Sequence, residues 1–172
     1  MNHGTGKQAP KGAAATVTSA DHEHHTTTAR RAKFTAPSKT SPHLAPAQTD
    51  DAVLDQLFYA TLDECPQCRA ALLDRVASDA RATHKLVDWA CLIASEMYCG
   101  LPAELTEEDA AGDTRLRPSA TFRRLAMKYR MQQRTTSAMY HTRQPPQCRE
   151  AADTAVTLVA GLDRYWTDFL YL

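Results

Sequence analysis

Residues 79–99, DARATHKLVDWACLIASEMYC, decide the fold class. Leu86, Trp89, Ala90, Ile93 and Met97 recur at steps of three and four, and Val87, Ala94 and Tyr98 widen the stripe. In a 3.6-residue repeat those positions share one face, so the stretch predicts a helix. A stripe this broad predicts a central helix touching neighbours on two sides. Gly100 stands where a left-handed C-cap residue belongs, and Pro102 stops any continuation.

The same periodicity extends outward on both sides. Asp50 is a suitable N-cap, and Leu54, Leu57, Phe58 and Leu62 then mark one helical face. Pro66 fits a first helical position, with Leu72, Leu73 and Val76 continuing a second short helix. Thr106-Glu107-Glu108-Asp109 reads as a helix N-terminus with acids in its first turn, ended by Gly112. Pro118 opens a further helix with Phe122, Leu125, Ala126 and Tyr129 inward, and Pro145-Pro146 breaks it. A final helix is expected to run to the end through Ala152, Ala155, Val159, Leu162, Trp166 and Leu170. Sheet is not expected, because the chain holds one Ile and six Val, and β-branched residues are what strands favour. The fold class is therefore all-α, a bundle of five or six helices.

Residues 1–49 differ in kind. They are rich in Ala, Thr, Ser, Pro, Lys and His and have no apolar period, so they cannot bury enough surface to offset the entropy of ordering. A disordered, acid-poor tail over 1–49 followed by a helical domain over 50–172 is the expected division. His22, His24 and His25 are read as solvated tail residues.

The net charge is zero, yet it is segregated along the chain. Residues 1–49 carry +4, residues 50–113 carry −10 and residues 114–172 carry +6. An acidic half can pair with a basic half inside one domain, or a basic face can meet an anionic partner. Five cysteines, an odd number, together with no apolar leader segment, lead us to expect reduced thiols in an intracellular compartment, cytoplasmic or nuclear. No run of about 18 apolar residues occurs, so no membrane insertion is expected.

Three features can carry chemistry. Cys65-Pro66-Gln67-Cys68 places a CxxC at a helix start, where unpaired N–H groups and the helix dipole stabilise a thiolate. With Leu57-Phe58-Tyr59-Ala60-Thr61 before it, the corner resembles that of glutaredoxin-like proteins, which implies thiol redox work at Cys65 and Cys68. The likeness covers about twenty residues, and no second βαβ unit follows. Alternatively Cys65, Cys68, His84 and Cys91 supply three thiolates and an imidazole, a ligand set that suits tetrahedral zinc. Each cysteine also has a plain reading as a small core hydrophobe.

The basic stretch is the third feature. No acid occurs between Thr114 and Cys148, while Arg115, Arg117, Arg123, Arg124, Lys128, Arg130, Arg134 and Arg143 accumulate. Arg123, Arg130 and Arg134 fall near one side, opposite Leu125 and Tyr129, where they can neutralise nucleic-acid phosphates or pair with the acidic segment around Glu104–Asp113. Thr121-Phe122-Arg123-Arg124, followed some twenty residues later by Pro145-Pro146, resembles coat proteins of flexuous filamentous plant viruses. That resemblance implies a flexible N-terminus on a helical, RNA-binding core. It rests on a handful of positions, and the C-terminal part departs.

No GxSxG, HExxH, P-loop or GxGxxG motif is present, and six glycines serve the whole chain. A non-enzymatic interaction or assembly module, acting through protein–protein contacts or self-association, is the expected function. Its contact residues are expected at the apolar C-terminus, at Trp166, Phe169, Leu170 and Leu172. A nucleic-acid partner and a CxxC redox protein are the alternatives, and zinc is the one cofactor considered.

Overall fold

In a computed structural model of the chain, residues 51–111, 114–132 and 144–171 are described. They form five α-helices: α1 (Asp51–Leu62), α2 (Pro66–Ala77), α3 (Ala80–Met97), α4 (Ala120–Gln132) and α5 (Pro145–Tyr165). Three 3-10 turns accompany them, at Ala103–Leu105, Asp109–Ala111 and Trp166–Leu170. Among the described residues there is no strand. The all-helical expectation therefore holds. Asp50, the expected first cap, and the tail before it lie outside the described residues.

Local chemistry explains most helix ends. Pro66 occupies the first position of α2, where its missing N–H costs nothing. Asp79 caps α3, its carboxylate accepting from the Arg81 N–H at 2.8 Å. Ser119 caps α4, its hydroxyl accepting from the Phe122 N–H at 3.2 Å. The helix expected to open at Pro118 thus opens two residues later, because the Ser119 hydroxyl, one position on, satisfies a free donor of the first turn. The prolines at 145 and 146 begin α5 as well as marking a break, since both tolerate the first helical turn.

Three expectations are corrected. The acidic stretch 106–111 makes only a 3-10 turn at Asp109–Ala111. So few residues before Gly112 cannot repay the cost of an α-helical nucleus. At the end of α3 the left-handed residue is Cys99, at φ +56, rather than Gly100. The Gly100 N–H then returns to the Ser95 carbonyl at 2.8 Å, closing a Schellman-type end. Lastly, α5 stops at Tyr165, and Trp166 turns the chain into a 3-10 segment.

The core is shared among all five helices. Leu54, Leu57 and Phe58 from α1, Leu73 and Val76 from α2, and Leu86, Val87, Ala90 and Ile93 from α3 meet Phe122, Leu125 and Ala126 of α4. Both α3, as expected, and α5 touch each of the other four helices, and residues 158–163 of α5 are buried in succession. Ala151, Ala152, Ala155, Ala160 and Gly161 keep α5 slim, so neighbours can approach from every side.

Candidate functional site

The charge segregation along the sequence resolves largely into pairing between the acidic and the basic half of the chain. Arg149 meets Asp74 at 2.6 Å, Arg164 meets Glu64 at 2.6 Å, Arg130 meets Glu107 at 3.6 Å and Arg123 meets Glu108 at 3.9 Å. Each joins a cation of the basic half to a carboxylate of the acidic half. Arg69 runs the other way, to Asp153 at 2.6 Å and to the Thr157 hydroxyl at 2.9 Å. Partly exposed pairs of this kind contribute little apiece, so they orient helices more than they hold them.

What remains of the basic face lies on α4 and just before it. Arg117, Arg124 and Lys128 make no ion pair among the described residues. Arg124 and Lys128 are one turn apart and both lie near His84 of α3. Burial first, then Lys128, then Arg124, pulls the His84 pKa down to about 4. Arg123 is only 16% exposed, and its Nε is buried without a hydrogen-bond partner, as is Ser95 Oγ on α3. Its Nη1 reaches Glu108 only at 3.9 Å, a loose pair. Arg115 is engaged elsewhere, over the Tyr165 ring. Arg134 and Arg143 lie outside the described residues.

The proposed metal ligands do not converge. Among the described residues no three His, Cys, Asp or Glu side chains form a group that would hold a metal ion. Cys65 and Cys68 hydrogen-bond to each other at the start of α2. Cys91 is buried beside Asp88, and its thiol is pushed well up by burial first and that carboxyl second. His84 faces two cations of α4, a poor setting for a dication. Spacing along one helix placed His84 and Cys91 together on paper, but among the described residues no group of three such side chains forms around them.

The C-terminal contact residues divide. Phe169 and Leu170 were expected at the surface and are instead core residues, 5% and 0% exposed, because the 3-10 turn folds them back beneath α5. Leu172 lies outside the described residues. Trp166 is 54% exposed. Its backbone sits at φ +55 and ψ −144, a conformation a bulky residue rarely adopts.

The same end of the molecule carries further aromatic residues, Tyr98, Tyr165 and Tyr171, that the sequence reading of contact residues missed. Tyr165 stacks on Phe169 with ring centroids 6.3 Å apart, and the Arg115 guanidinium lies over the Tyr165 ring at 5.2 Å. The Tyr98 hydroxyl donates to the Thr167 carbonyl at 2.7 Å, and its ring meets Tyr171 edge-on. Tyr171 is 63% exposed and reaches Glu104 at 3.3 Å. The Arg115 N–H donates to the Leu170 carbonyl at 3.3 Å. Tyr165 and Tyr171 are thus each held by a ring contact and a charged side chain. The one sequence signal was the density of aromatics at 165–171.

Comparison with protein-family models, with curated proteins and with solved structures finds no match for this chain. Among the described residues no helix is long and apolar enough to cross a membrane.

Proposed function

We propose that the chain is a non-enzymatic helical assembly module that works through protein–protein contacts, with its contact surface centred on Trp166. The observation that carries this reading is a half-exposed tryptophan on a strained backbone position, in a C-terminal segment whose Tyr165 and Tyr171 are also exposed. Strain of this kind costs about 1–3 kcal/mol and collects where function needs it. Trp, Tyr and Arg are the residues that dominate binding energy at protein interfaces. Sedimentation of the full chain over a range of concentrations tests it. The wild type should assemble with concentration, and Trp166→Ala should weaken assembly by about tenfold or more, a hot-spot loss of roughly 2 kcal/mol. A wild type that stays monomeric throughout would defeat the self-assembly form of the proposal.

A second reading, nucleic-acid binding at the α4 face, has its own support. Arg117, Arg124 and Lys128 are without ion pairs among the described residues, and Arg117 and Arg124 are exposed. Phosphate oxygens accept from such cations. The two readings are compatible, and together they describe a module that assembles along a nucleic acid. Arg124→Glu with Lys128→Glu should abolish binding to single-stranded RNA at about 50 mM salt. No binding by the wild type under those conditions would remove this reading.

A further inference from the structure

The assembly reading leaves the cysteine pair at the α1–α2 corner unused. Cys65 is the N-cap residue of α2, at φ −88 and ψ 96, and Cys68 is its third helical residue. An N-cap side chain and the third helical side chain are the two that a capping box brings together. Here Cys65 makes no side-chain cap to the backbone. Its thiol instead meets that of Cys68 in a hydrogen bond.

The corner is held firmly around them. Arg164 grips it through Glu64 Oε1 and the Leu62 carbonyl, each at 2.6 Å, and Glu64 is kept at φ +54. The Cys65 N–H donates to the Ala60 carbonyl and its own carbonyl accepts from Arg69, both at 3.0 Å. Both sulfurs are therefore presented by backbone that is pinned on either side. Cys65 is half-buried and within reach of solvent, while Cys68 is buried behind it. That is the order of an attacking thiol and a resolving thiol.

We propose that Cys65 and Cys68 form an oxidative modification site, a dithiol that hydrogen peroxide converts to an intramolecular disulfide. A sulfur at the N-cap position stands at the positive end of the helix dipole, where negative charge is stabilised. Cys68 retains its proton, its pKa raised first by the hydrogen bond with Cys65 and then by burial. The Cys65 thiolate attacks one peroxide oxygen, so an S–O bond forms as the O–O bond breaks. The departing hydroxide takes up the proton Cys65 had lost and leaves as water. Cys65 has then lost two electrons and is a sulfenic acid. The Cys68 sulfur attacks it, the S–S bond forms, the S–O bond breaks, and the second hydroxide leaves as water with the Cys68 proton. Two thiols and one peroxide become one disulfide and two waters. External thiol reverses the change by exchange.

The test uses the full, reduced chain treated with hydrogen peroxide, then alkylated and mapped by mass spectrometry. The exposed Cys99 reports that peroxide has reached the protein, and the buried Cys91 and Cys148 report that the fold has stayed closed. The expected result is a Cys65–Cys68 crosslink that dithiothreitol removes. In Cys68→Ser the expected product is a Cys65 sulfenic acid captured by dimedone. Cys99→Ser should leave the crosslink unchanged. If Cys65 and Cys68 both remain alkylatable while Cys99 is oxidised, or if Cys65 crosslinks to Cys99 instead, the site does not exist. The wild-type and Cys99→Ser maps decide the matter even if Cys68→Ser does not fold.

Discussion

Gly161 and Phe169 are in such close contact that a Cβ added to the glycine would lie 2.2 Å from the phenylalanine ring. The absence of a side chain at one position of α5 is what allows the C-terminal 3-10 turn to fold back. Seating Phe169 there buries Leu170 and stacks Phe169 on Tyr165, while Trp166 stays exposed. The candidate contact surface thus depends on a glycine eight residues upstream of the phenylalanine that fills its place.

Gly161→Ala should therefore destabilise the protein. Helix propensity alone favours alanine by about 1 kcal/mol. Against that, the new methyl overlaps three ring carbons at 2.2–2.4 Å, too close for a small adjustment. Overpacking costs typically about 1–3 kcal/mol, so after the propensity gain a net loss of about 1 kcal/mol is expected in urea unfolding, with a weaker near-ultraviolet aromatic signal. A variant as stable as wild type would mean that Phe169 is not seated there.

Trp166→Gly should behave in the opposite way. Glycine adopts φ +55 without strain, which recovers part of about 1–3 kcal/mol. The extra freedom of the unfolded chain takes back about 0.5–1 kcal/mol. The variant should match or exceed wild-type stability while losing assembly. A thermal melt paired with sedimentation checks both halves of that statement.

His84 makes the protein acid-sensitive. Burial, Lys128 and Arg124 hold its folded pKa at about 4, below the usual value of 6.5. The unfolded chain takes up the proton first, so stability falls as pH drops from 6.5 towards 4. The full effect is on the order of 3 kcal/mol. His84→Gln should flatten that part of the profile, measured by urea unfolding at stepped pH. An unchanged slope in the variant would assign the acid loss to other groups.

Asp88, one turn along α3, has the reverse sign. Burial raises its pKa from 3.8 to about 7. The folded protein keeps a proton that the unfolded chain releases, so stability declines as pH rises from about 4 through 7. Asp88→Asn should leave stability unchanged near pH 4 and increase it above pH 7. Equal effects at both pH values would show that the carboxyl is not desolvated.

Much of this molecule can be read in one dimension. Pro66 at the head of α2, Asp79 capping α3 and the stripe from Leu86 to Met97 depend only on residues within a few positions of one another. The candidate sites were less legible. Phe169 and Leu170 looked like surface anchors because a straight helix through Trp166 would spread them over several faces. The break at Trp166 reversed that, and nothing in its residue type announces a positive φ. Glu64 and Cys99 are likewise at positive φ without being Gly or Asn. His84 and Cys91 share a helix face with metal-ligand spacing, yet among the described residues no group of three such side chains forms around them.

The sequence by itself determined the all-helical class, the helix positions and the opposition of an acidic and a basic half. Those follow from hydrogen bonds four residues apart and from side chains three or four apart. The tertiary structure alone decided that α5 shares the centre with α3, that Arg164 reaches Glu64 across 100 residues, and that Trp166 stays exposed while Phe169 does not. These depend on how helices cross and how closely they approach, which small residues such as Gly161 permit but do not announce.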